Sequence, residues 1–230
     1  MRGMMVPALL LALAQVSGAM AAAPHAAPHA DAADPDQLLD PEDYPQFALV
    51  HDLSAAVPVE LFVSPQGHAL ECNTAKGWGD AQLADSMCDI LQHKHLTPAH
   101  LADGTPAYSV LRGLARLFIP GTHGGDEILR LEPPSDVELE AAHLPGGMAR
   151  TQVAVLLTVA PGGMVSDCVP AGGERQVDLV TMVCPALRTM KPGQRVGLDG
   201  AGVSYVMTLR AALSAKDAPP PAPEEPNLPQ

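Results

Sequence analysis

Apolar and polar positions alternate in two short stretches that lie 96 residues apart. Val57, Val59, Leu61 and Val63 alternate with Pro58, Glu60, Phe62 and Ser64, and Val153, Val155, Leu157 and Val159 repeat the phase. Period two is the signature of a strand with one buried face. Pro65-Gln66-Gly67 and Pro161-Gly162-Gly163 follow with turn chemistry, proline presetting φ and glycine tolerating positive φ. Second strands are predicted over 69–73 and 164–169, so each pair closes a hairpin. The period then changes to helical. Leu83, Met87, Ile90 and Leu91 share one face after a capping Asp80, and Leu179, Val180, Val183 and Leu187 do the same later. Pro185 lies inside the second of these helices and predicts a late start or a kink near Cys184. A glycine-bearing loop and a last strand complete each unit, 108–119 and 203–213. Their buried phases agree: Leu111, Ala115 and Leu117 in one, Met207, Ala211 and Leu213 in the other.

The two units are copies. At a shift of 96, about 16 of the 59 positions from Val59 to Leu117 are identical, against about four expected from ordinary composition. Among them are Cys72 and Cys88, which recur as Cys168 and Cys184. The predicted fold is α+β: two tandem small domains, each a β-hairpin–helix–β-strand unit with one helix on an antiparallel sheet. The first is expected over 44–120 and the second over 149–214, joined by a connector at 121–148. The four cysteines read as two internal pairs, each stapling the helix to the second strand. Closing a loop of this length contributes about 3 kcal/mol in the chain-entropy model, a large share for so small a core.

The ends of the chain bear on compartment. A short basic start, an apolar run from Met4 to Val16 and Ala19-Met20-Ala21 predict a secretory signal peptide over 1–22. Export places the cysteines where disulfides persist. A retained N-terminal anchor in the inner membrane, facing the periplasm, is the alternative. Residues 23–43 read as a flexible acidic Ala/Pro/His leader, and 215–230 as a Pro-rich disordered tail. The net charge of −13, with 13 basic residues scattered among 26 acidic ones, argues against nucleic acid. The acidic stretch 126–140 reads as solvated connector.

Val59-x-Leu61-x-Val63-x-Pro65-x-Gly67, then Cys72, Leu83, Cys88, Thr97-Pro98-Ala99 and Gly104 resemble the TonB C-terminal domain family in its cysteine-paired form. The second copy matches through Val155 to Val159, Gly163, Cys168, Cys184-Pro185-Ala186-Leu187-Arg188, Lys191-Pro192 and Gly200. The resemblance implies a periplasmic, non-enzymatic protein–protein interaction module of a Gram-negative cell envelope. It implies capture of an extended segment of an envelope or outer-membrane protein by strand addition to an open sheet edge. The last strand of each unit is the expected edge, carrying Tyr108, Val110, Arg112, Leu114 and Arg116 in one copy and Ser204, Val206, Thr208 and Arg210 in the other. A membrane-anchored energy transducer serving outer-membrane receptors is the alternative. It would need an uncleaved anchor and a longer spacer than the roughly 80 Å that about 25 extended residues can span.

Little else in the sequence carries chemistry. No nucleophile–base pair can be assembled and no cofactor is expected, so the chain is read as not an enzyme. His93, His95 and His100 cluster near the end of the first helix. Solvated helix-end residues are the plainer reading of these, and convergence on Zn²⁺ or Cu²⁺ through a loop is a second alternative. Trp78 between two glycines is expected to cover a core edge or a turn.

Overall fold

The structure, a computed structural model, describes residues 32–33, 37–171 and 176–216. The predicted signal peptide and most of the predicted tail lie outside these residues. The elements in chain order are α1 (Gln46–Val50), β1 (Ala55–Val63), β2 (Ala69–Thr74), β3 (Trp78–Gly79), α2 (Ala81–His93), β4 (Ala99–His100), β5 (Pro106–Leu117), α3 (His123–Arg130), β6 (Val137–Ala141), β7 (Arg150–Val159), β8 (Val165–Pro170), α4 (Val177–Leu187), β9 (Arg195–Val196), β10 (Gly202–Val203) and β11 (Tyr205–Ala215). The class is α+β, and hairpin, helix and strand recur in the same order in both halves. The Asp80 carboxylate accepts from the Leu83 N–H at 2.8 Å, capping α2 as its sequence predicts.

Pro185 is accommodated without delaying α4. The helix starts at Val177, the counterpart of Ala81 at the start of α2, and Pro185 falls in its last turns. There the missing N–H costs one intrahelical bond near a terminus that frays in any case. Both cysteine pairs are bonded, Cys72 to Cys88 and Cys168 to Cys184, each with 5.7 Å between Cα atoms. Each bond ties a helix to the second strand of its own hairpin.

The halves do not stand apart as two separate sheets. One mixed sheet runs β2-β1-β5-β11-β7-β8, and the junction is a parallel pairing of the two last strands. Tyr205 lies opposite Tyr108, Val206 opposite Ser109 and Met207 opposite Val110. The strands on either side, β1 with β5 and β7 with β11, are antiparallel as predicted.

The two helices lie on opposite faces of this sheet. Leu83, Met87 and Leu91 of α2 pack on Val57, Val59, Leu61 and Leu111. Leu179, Val183 and Leu187 of α4 pack on Val155, Leu157 and Met207, and the same core takes in Phe62 and Val110 of the first half. Phe62 and Val110 alternate with Leu61 and Leu111, so they point away from α2. Both faces of β1 are therefore covered: only Pro58 and Glu60 of its nine residues are less than fully buried. Each fully buried Leu, Met or Phe contributes about 1.5–3 kcal/mol.

Two segments differ from their predicted roles. The leader is packed over its described C-terminal part. Leu38 is buried in the first core, and Lys94 Nζ contacts the carboxylates of Asp40 and Asp43 at 2.8 and 2.5 Å. The connector is folded as well. It supplies α3, and then β6, which pairs in parallel with β11 from Ala211 to Ala215. Its acidic residues alternate with apolar ones, so Val137, Leu139 and Ala141 turn to the second core while Glu138 and Glu140 are exposed. The stretch is acidic, and its period-two pattern decides its structure. At the other end, Ala215 closes β11 and the Lys216 N–H donates to the Ala141 carbonyl.

Candidate functional site

The strands expected to be open edges are the innermost strands of the sheet. Each would be an edge in an isolated unit, and here the two pair with one another over three positions. Tyr108 stacks on Phe62 with ring centroids 5.4 Å apart, and its hydroxyl accepts from the Leu198 N–H. Val110, Leu114, Val206 and Thr208 are buried. Arg112 is bonded to Glu60, Arg116 is half-buried against the sheet, Ser204 is half-buried just ahead of β11, and the Arg210 N–H donates to the Asp136 carboxylate at 2.7 Å. None of the nine lies on an outer strand, so the predicted edge is corrected: β5 and β11 are inner strands, paired with each other from Tyr108 to Val110, and β6 pairs with β11 further along.

The junction is short, and polar groups gather at its end. Pairing of β5 with β11 covers three positions, after which the strands diverge around Thr208. Its hydroxyl accepts from the Arg112 N–H at 2.7 Å, replacing the ladder bond that the split removes. Asp136 enters the gap ahead of β6. Its N–H donates to the Arg210 carbonyl at 2.8 Å while its carboxylate takes the Arg210 N–H.

Glu60 is the hub of a charge network over this split. Arg112 Nε donates to it at 2.7 Å and Arg195 Nη2 at 2.6 Å, while Arg195 Nη1 reaches Glu71 at 3.1 Å. Arg195 also lies over the Phe62 ring, 5.4 Å from its centroid. Burial would raise the Glu60 carboxyl, but the bonds and charges of Arg112 and Arg195 outweigh it and hold the group below its usual range. Asp136 goes the other way. Its burial prevails over the Arg210 N–H and the nearby guanidinium charges, and its carboxyl is raised. A hollow of about 430 Å³ opens beside this network, lined by Pro58, Glu60, Asn73, Arg112, Pro134 and Asp136. Glu60 and Arg112 face each other across β1 and β5. That pair could have been found from strand register. Arg195 gave no signal, because it comes from β9, 135 positions away.

The outer strands of the sheet are β2 and β8. Val169 and Cys168 of β8 are buried, whereas Glu71, Asn73 and Thr74 of β2 are exposed. The ladder phase fixes which groups of β2 face outward. The Ala75 N–H donates to the Pro58 carbonyl, and Asn73 pairs with Glu60 two positions along. Antiparallel pairs alternate between bonded and non-bonded. Cys72 and Thr74 therefore point their N–H and C=O groups away from β1, toward the open side. Trp78, next along this margin, is 40 % exposed. It pairs with Ala56 at the sheet margin.

The three candidate histidines do not converge. His93 Nδ1 lies 2.6 Å from the Asp89 carbonyl, within α2, and His100 sits on β4. His95 meets His68 instead. Among the described residues no group of three or more His, Cys, Asp or Glu side chains could hold a metal ion, and no helix is long and apolar enough to cross a membrane. No protein-family model, curated protein or solved structure matches this chain.

Proposed function

We propose that this chain is a secreted, non-enzymatic protein–protein interaction module of the cell envelope, in the manner its resemblance to the TonB C-terminal domain implies. It binds an extended segment of an envelope or outer-membrane protein by strand addition, and the receiving edge is the outer side of β2. The observation that carries this reading is that β2 ends the sheet with the backbone groups of Cys72 and Thr74 turned outward. Unpaired strand groups are a template for another chain, and an extended segment satisfies them. Trp78 beside the edge supplies an exposed aromatic surface of the kind enriched where partners bind. The Cys72–Cys88 bond holds the strand in place from the α2 side, so the edge is ordered before a partner arrives. Two bonded cysteine pairs agree with an oxidising compartment such as the periplasm.

Thr74→Pro tests the reading directly. Proline removes the outward N–H and places its ring on the open side, where no bond to β1 is lost. Cross-linking in the periplasm, followed by partner identification, should enrich an envelope protein with the parent chain and lose it with Thr74→Pro at unchanged thermal stability. Equal recovery from both proteins would remove β2 as the binding edge. Absence of any enriched partner, relative to a cysteine-free control, would remove the interaction reading itself.

A further inference from the structure

We propose that His68 and His95 form a surface chelate for one divalent transition-metal ion, Cu²⁺ or Zn²⁺. This site is independent of the strand-addition reading and of the charge network.

Backbone geometry brings the two residues together. His68 ends the turn after β1, His95 follows α2, and they make an isolated antiparallel bridge. The Leu96 N–H donates to the Gly67 carbonyl at 2.8 Å, joining the residue after His95 to the residue before His68. That bond makes His68 and His95 a non-hydrogen-bonded pair, the kind in which side chains come closest.

The approach is fixed by its surroundings. Gly67 has φ of 81°, and a Cβ there would run into the Leu96 carbonyl oxygen and reach the His95 ring. The Ser64 hydroxyl accepts from the N–H groups of Gln66 and His68, holding the turn from inside. Both imidazoles are nonetheless exposed, so an ion can reach them from solvent.

Ring separation matches shared ligation. The centroids lie 5.4 Å apart with the planes at 71°. A tetrahedral ion about 2.0–2.1 Å from each nitrogen, with about 1.1 Å from nitrogen to ring centre, would place the centroids about 5.2 Å apart. Imidazole donors select Cu²⁺ and Zn²⁺ over Mg²⁺ and Ca²⁺, which prefer oxygen. Among the described residues no third His, Cys, Asp or Glu completes the group, so the remaining positions fall to water or an external donor, as in open rather than structural sites. Met164 and Lys191 stand at the corresponding positions of the second copy, so that copy does not repeat the pair. The net charge of −13 favours cation approach.

Titration of the full chain with Cu²⁺ and with Zn²⁺ by calorimetry tests this, with nitrogen hyperfine structure in the Cu²⁺ electron paramagnetic resonance spectrum as a second readout. One ion per chain is expected, with two imidazole nitrogens on Cu²⁺. His68→Ala and His95→Ala should each weaken binding at least tenfold while leaving the melting temperature without metal unchanged. His93→Ala and His100→Ala should bind as the parent does. Parent-like binding in His68→Ala or His95→Ala, or loss only in a His25→Ala/His29→Ala variant, would overturn the proposal, as would the absence of binding in the parent.

Discussion

Met207 lies opposite Val110 in the parallel ladder, one position from Leu111, its counterpart 96 residues earlier. In a strand, one position is one face. Equivalent residues of the two copies therefore point to opposite sides of the common sheet, and the two helices follow them. Each copy consequently receives the other against the face its own helix leaves uncovered: Phe62 and Val110 enter the second core, while Ala99 and Ala107 cover Leu156, Val169 and Val206.

Phe62→Ala should lower stability by about 3–5 kcal/mol, the usual cost of emptying a buried aromatic site. Although Phe62 belongs to the first copy, amide exchange should rise in α4 and β7 as well as in β1. Exchange confined to the first copy would show the cores to be independent.

Thr208→Val should cost about 1–3 kcal/mol at nearly constant volume, because the Arg112 N–H loses its acceptor at the split. A shift in the urea midpoint without a change in slope would report it. Stability equal to the parent would mean that water replaces the hydroxyl there.

The charge network predicts a pH dependence with opposite signs at two carboxyls. Glu60 is held low in the folded chain, so its contribution is complete above the unfolded value of about 4.3 and is lost as pH falls through the lower folded value. Glu60→Gln should therefore destabilise at pH 7, and its deficit should shrink as pH falls below about 4. Asp136 is raised, so its contribution is present below about 3.9 and is lost as pH rises through the folded value. Asp136→Asn should accordingly compare more favourably with the parent at pH 7 than at pH 3. Urea midpoints across that range would check both, and pH-independent differences would contradict them.

Thiol titration should find no free cysteine in the native chain and four after denaturation with reductant. Proteolysis should yield two separate bridged products, 72–88 and 168–184. Replacing Cys72 and Cys88 together by Ser should cost about 3 kcal/mol, and the same replacement at Cys168 and Cys184 a similar amount.

The sequence by itself determined the local elements and their duplication. Period-two runs, the Asp80 cap and the proline–glycine turns each act over a few residues and are legible within one copy, while the repeated cysteine spacing is legible from comparing the two. It also placed both disulfides, through the same spacing of two cysteines in each copy. Only the tertiary structure decided how the copies meet. A last strand with one apolar face looks like an edge from within its own unit, and nothing local says that a second such strand will pair with it. The one-residue offset between repeat spacing and pairing register, the burial of Phe62 by the other copy, the Glu60 network and the meeting of His68 with His95 all depend on contacts between distant segments. Their residues are ordinary in sequence, and only closure of the sheet brings them together.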